Sequence, residues 1–96
     1  MSDPVEVMLL DETVHFSLAE LCSACNVAEA IVLEIVAEGI VEPRGSAPSE
    51  WLFSGLAVAR IQRVVRLQSE FGVNLPGAAL ALELLEEVER LRRAQR

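Results

Sequence analysis

Two cysteines three residues apart and a single histidine are the side chains of this 96-residue chain whose types best suit bond chemistry. Cys22-Ser23-Ala24-Cys25 reads C-x-x-C, the spacing of thiol–disulfide exchange or of half a zinc site. A redox pair belongs at a helix N-terminus after a strand, in a βαβ setting. Here it closes a short helix. A structural zinc site needs four ligands, and only His15 and a carboxylate could join the two thiols. The expectation is therefore no metal, with Cys22 in the core and Cys25 a small residue at a helix end. His15 lies between Val14 and Phe16. Strand alternation turns those two inward and His15 outward, with no second histidine and no nucleophile beside it. The five glycines (Gly39, Gly45, Gly55, Gly72, Gly77) are too scattered for a phosphate-cradling loop and read as helix stops, turns and a helix-start contact. No catalytic residue and no cofactor is expected, so the chain does not read as an enzyme.

Charge is the stronger signal. Residues 1–59 hold ten acids and one base, Arg44, a net −9, whereas residues 60–96 hold five acids and seven arginines, a net +2. Lysine is absent. A phosphate backbone is held by cations that displace its counterions, so the N-terminal part is expected to bind no nucleic acid.

These side chains are positioned by a short series of elements. Residues 5–10 and 14–16 read as strands, with the turn-prone Asp11-Glu12-Thr13 between them. Ser17 and Glu20 form a capping box that opens a helix over 18–25, and Asn26 suits the turn that ends it. A second helix spans about 28–38, stopped by Gly39. The linker of about three residues is that of a helix-turn-helix. Ile40-Val41 is extended, 44–50 is a loop, and Trp51-Leu52-Phe53 is a strand; the two flanks can pair as a wing. Ser54 caps a third helix over 55–71, and Gly72 ends it. Asn74 caps a fourth, over about 75–93, with Pro76 in its first turn. The fold class is mostly α: a MerR-like winged helix-turn-helix with short N-terminal strands, a small wing hairpin and a long C-terminal helix. One domain over 1–96 is expected, with strands in 1–16, the helix-turn-helix and wing in 17–54, and the C-terminal helices in 55–96.

The second helix stands where a recognition helix would. Val27, Val32, Ile35 and Val36 suit a core stripe at helical spacing, and Ile31 and Leu33 fall outside it. Its charges are Glu29, Glu34 and Glu38. A DNA-reading helix presents Arg, Lys, Asn or Gln, and this one has none. Exposed aliphatics among glutamates suit a basic protein partner, with apolar anchoring and charge steering. The wing agrees, flanked by Glu42 and Glu50. Trp51 is the core anchor of the wing strand, or a contact of the kind enriched in binding hot spots. The candidate partner-binding set is Glu29, Ile31, Glu34, Glu38, Glu42, Glu50 and Trp51.

In the third helix, Arg60, Arg63 and Arg66 recur at three-residue steps opposite Ile61, Val64, Val65 and Leu67. The fourth helix has two apolar lines: Ala78, Leu82 and Leu85, and Leu80, Leu84, Val88 and Leu91. Pairs at i,i+4 are Arg66–Glu70, Glu86–Arg90 and Glu89–Arg93. One apolar line inside and one against a second copy implies a homodimer, with Leu80, Leu84, Val88 and Leu91 as its interface. No apolar run approaches bilayer length, and no basic segment precedes an apolar one at the start. No membrane contact, a cytoplasmic location and reduced thiols are expected.

Five stretches together resemble the chaperone-modulator CbpM family. They are Phe16-Ser17-Leu18-Ala19-Glu20-Leu21-Cys22, Gly39-Ile40-Val41-Glu42-Pro43, Trp51-Leu52-Phe53, Arg63-x-x-Arg66-Leu67, and Val73-Asn74-Leu75-Pro76-Gly77 followed by Ala79-Leu80-Ala81-Leu82. The resemblance covers about residues 14–92 and implies a MerR-like protein that does not bind DNA. It implies as partner the J-domain of a CbpA-like, DnaJ-type co-chaperone. The function implied is inhibition of that co-chaperone's stimulation of a DnaK-type chaperone. A J-domain presents a basic helix, which the acidic surface would occupy. The rival reading is a MerR-type transcriptional regulator that binds DNA.

Overall fold

The structure is a computed structural model, and it describes residues 14–95. The strand expected over 5–10 and the turn over 11–13 lie outside the described residues. The element order is β1 (His15–Ser17), α1 (Leu18–Cys25), α2 (Glu29–Ala37), a 3₁₀ turn (Pro48–Glu50), β2 (Leu52–Ser54), α3 (Gly55–Phe71) and α4 (Leu75–Ala94). Two compact units divide the described residues, with the boundary between Gln62 and Arg63.

The first unit is built on a two-stranded antiparallel sheet in which His15 faces Ser54, Phe16 faces Phe53, and Ser17 faces Leu52. Alternation turns Phe16 and Phe53 into the core and leaves His15 exposed. Strand β1 ends one residue later than the sequence pattern suggests, because Ser17 keeps extended geometry while capping α1. Its hydroxyl accepts the Glu20 N–H at 3.1 Å, and the Glu20 carboxylate accepts the Ser17 N–H at 2.9 Å. Each bond satisfies a donor that the helix start would otherwise leave unpaired. Ser54 does the same at the end of β2, accepting the Ala57 N–H at 3.1 Å.

Helix α1 packs on β1, β2 and α2. Asn26 ends it in the left-handed conformation at φ 53°. Helix α2 closes with a Schellman motif: the Ile40 N–H reaches the Ile35 carbonyl at 3.3 Å and the Gly39 N–H reaches the Val36 carbonyl at 2.9 Å. Gly39 sits at φ +79°, where a side chain would be strained. Ile40 and Ile35, the apolar pair that accompanies such a motif, are both buried. The core is completed by Leu21, Val32, Phe53, Val58 and Ile61, all fully buried.

The wing differs from the simple hairpin expected of its flanks. Arg44 and Leu52 exchange both backbone hydrogen bonds at 3.0 Å, and this isolated bridge is what joins the two flanks. The ladder partner of β2 is the N-terminal strand β1.

In the second unit, the C-terminal half of α3 is followed by Gly72 at φ +66°. Asn74 then caps α4, accepting the Gly77 N–H at 2.8 Å. Val64, Ala78 and Leu82 are buried. Arg63 of α3 binds Glu89 of α4 at 2.9 Å. Arg66 pairs with Glu70 at 3.9 Å, as its spacing suggests. Arg90 takes Glu87 at i,i+3 as a partner.

Candidate partner-binding surface

Helix α2 inserts Val32 and Ile35 and leaves its opposite face in solvent. At 100° per residue, Ile31, Glu34 and Glu38 fall on one side of that outer face. Ile31 keeps 39% of its surface exposed, high for an isoleucine in a helix that supplies core. Ala30 and Ala37 are the small neighbours on the same outer face, so a partner can approach the helix backbone closely. Leu33, expected to be exposed, is half-buried.

Glu29 departs from this group. It lies about 140° around the helix from Glu34, and its charge reaches Cys22 of α1. Burial first, and the Glu29 carboxylate second, push the Cys22 thiol above its ordinary range. Glu29 therefore borders the α1 side of the helix-turn-helix.

Past Gly39 the chain buries Ile40 and Val41 and then exposes Glu42. This segment is tethered from α3: the half-buried Arg60 guanidinium donates to the Ile40 carbonyl. Arg60 is thus drawn out of the basic stripe that its spacing with Arg63 and Arg66 suggests. Glu50 lies on the wing, where local contacts constrain the path of the loop. Gly45 has φ +108°, and a Cβ there would stand 2.8 Å from the Glu50 carbonyl oxygen. The Ser46 hydroxyl donates to the Glu50 carboxylate at 3.1 Å. Glu50 is exposed, but one oxygen already serves the loop. Trp51 is half-buried and meets Phe53 edge to face, with centroids 5.9 Å apart and an interplanar angle of 89°. Its ring is anchored, and part of it still faces solvent.

Leu52 and Leu56, at 45% and 57% exposure, are further apolar residues of this unit open to solvent. Neither stands out in the sequence, since each belongs to an element whose neighbours are core. The C-x-x-C thiols are free. Cys25 points its sulfur at the Val58 carbonyl, 3.9 Å away, and burial pushes its thiol to about 11. That is the opposite of an activated thiolate. Among the described residues, no three His, Cys, Asp or Glu side chains converge as a metal site, and no helix is long and apolar enough to cross a membrane.

In the second unit, Leu80, Leu84, Val88 and Leu91 are 44–59% exposed along α4, on the side away from Ala78 and Leu82. Leu85, expected to lie on the inner line, is also 44% exposed. This unpartnered face is the other candidate contact surface.

A profile of the family described as "MerR HTH family regulatory protein" matches residues 16–96. Several relatives carry the name "Chaperone modulatory protein CbpM". The one from Pseudomonas entomophila (strain L48) is 46% identical over 79 residues, covering 82% of this chain and 78% of the relative. That from Citrobacter koseri is 39% identical over 88 residues, covering 92% and 87%. That from Salmonella newport is 40% identical over 84 residues, covering 88% and 83%. These relatives are named as modulatory or regulatory proteins, not as enzymes.

Proposed function

The chain belongs to the CbpM group of the MerR helix-turn-helix family, and from that membership we propose that it is a chaperone modulator acting through its helix-turn-helix and wing. Its partner is the J-domain of a CbpA-like co-chaperone, and occupying that domain inhibits stimulation of a DnaK-type chaperone. Residues 1–96 act as one functional winged helix-turn-helix domain, working in the cytoplasm beside that machinery.

The observation that carries the reading is the outer face of α2. Where a DNA-reading helix would put cations, Glu34 and Glu38 stand beside the exposed Ile31. Two carboxylates beside an aliphatic suit a basic helix: the charges steer and orient it, and the apolar group is covered on arrival. Glu42, Glu50 and Trp51 extend the contact onto the wing, and Glu29 borders it on the α1 side. A homodimer through Leu80, Leu84, Val88 and Leu91 presents two such faces.

The test is binding of the isolated J-domain to the wild type and to the Glu34→Lys/Glu38→Lys double variant. The variant should associate more slowly and bind more weakly. Unchanged affinity would mean that another face is used. A gel shift at low salt examines the transcriptional alternative, which requires DNA binding that falls steeply as salt rises.

A further inference from the structure

We propose that Arg60 is a positioning residue of the acidic face: reaching from α3, its guanidinium fixes the exit from α2 and so sets where Glu42 stands relative to Glu34 and Glu38. The inference rests on the reading of that face as the partner-binding surface and names what holds its two parts in register. Glu34 lies in α2 and Glu38 is its C-cap. The chain then leaves helical geometry at Gly39, φ +79°, buries Ile40 and Val41, and exposes Glu42. Helical periodicity does not extend from Glu38 to Glu42, so their spacing is decided by whatever holds this exit.

Polar ties hold it at both ends. The Ile40 N–H donates to the Ile35 carbonyl at 3.3 Å, and Arg44 exchanges two backbone hydrogen bonds with Leu52 at 3.0 Å. Both are made by backbone atoms. The Arg60 guanidinium grips Ile40 from its other side, donating to its carbonyl. Ile40 is buried, and a buried carbonyl needs a protein donor. A long stem ending in a permanently charged fork of N–H groups suits that reach from a neighbouring helix. Arg60 is half-buried, whereas Arg63 and Arg66 of the same helix pair with Glu89 and Glu70. Charge and position make opposite demands here. Removing a cation leaves this unit more acidic, which by steering alone speeds association with a basic helix. Releasing the Ile40 carbonyl displaces Glu42 and weakens binding.

The opposite signs make the test. Binding of the isolated J-domain would be measured for the full chain carrying Arg60→Met, which keeps an apolar stem, and Arg60→Lys, which keeps the charge and a donor. Circular dichroism checks that the helices persist, and Arg60→Gln replaces Arg60→Met if that variant does not fold. Arg60→Met should weaken binding about threefold or more despite the more acidic surface, and Arg60→Lys should restore most of the loss. Double-mutant cycles locate the effect. Glu42→Lys should weaken binding in the wild type and cost far less beside Arg60→Met, whereas Glu34→Lys should cost the same in both. Arg60→Met binding as tightly as wild type, or faster, overturns the positioning role, as does a Glu42→Lys cost that is equal in the two backgrounds. Either result leaves the acidic face standing as long as Glu34→Lys weakens the wild type. If neither Glu34→Lys nor Glu42→Lys alters wild-type binding, the face itself is wrong and both readings fall.

Discussion

Phe16 stands opposite Phe53 in the two-stranded sheet, and each is followed by a serine that caps the next helix. The register therefore sets more than a strand pair. It places the starts of α1 and α3 on the same short sheet, and α1 in turn supports α2, which carries the acidic face.

Removing either serine hydroxyl unpairs a helix-start donor. Ser17→Ala and Ser54→Ala should each cost about 1 kcal/mol, measured by urea denaturation. Ser17→Thr should retain most of the stability, because threonine also caps. A loss confined to one site would mean that only one of the two caps matters to the cooperative unit.

The path of the wing loop depends on Gly45, because its φ of +108° and the nearby Glu50 carbonyl both exclude a side chain. Gly45→Ala should destabilise the chain by roughly 1–3 kcal/mol or reshape the loop. The partner test distinguishes these: a reshaped wing lowers J-domain affinity while the melting temperature holds.

Local signals were legible in the sequence. The Ser17–Glu20 box, Asn26, Gly39, Gly72 and Asn74 each act within a few residues, and each ends or begins a helix where its chemistry requires. The same periodicity places Ile31 beside Glu34 and Glu38. The rest depends on residues far apart in the chain. Nothing local to Phe53 tells that it pairs with Phe16 before any wing partner. Nothing in α2 alone turns Glu29 toward Cys22, since that follows from the angle between two helices. Ser46 binding Glu50, and Arg60 reaching Ile40, likewise need the folded path of the loop.

Charge steering gives the Glu34 and Glu38 face a salt signature. Wild-type association with a J-domain should slow as ionic strength rises from low to physiological, since exposed charges are screened over about 8–10 Å there. The Glu34→Lys/Glu38→Lys variant should lose that dependence or reverse it. Ile31→Ala should leave the salt dependence intact and speed dissociation, because it removes apolar contact and no charge. Stopped-flow association at three salt concentrations checks both.

Phe53 is the residue to which the wing and the core are both tied. Phe53→Ala should cost roughly 3–5 kcal/mol, a large share of the roughly 5–15 kcal/mol that holds a typical domain. Phe53→Leu keeps more volume and should leave the chain folded. In that variant Trp51 loses its edge-to-face partner, so its fluorescence should shift to the red. An unshifted emission would mean that the ring is held by something other than Phe53.

Cys25 gives the fold an alkaline limit. Its thiol is pushed to about 11 by burial and, to a smaller degree, by Cys22, against an ordinary value of 9.0. The folded state thus holds the proton more tightly than the unfolded chain. The resulting stability is fully present below pH 9 and is lost as pH rises through about 11. Stability measured by urea should therefore decline across that window, and Cys25→Ala should flatten the decline. The raised value of Cys22 acts in the same direction. At pH 7.5 both thiols are protonated in the native state, so alkylation by iodoacetamide should be slow there and fast in urea. Rapid native-state labelling of Cys25 would mean that the α1 end opens far more often than its contact with Val58 implies.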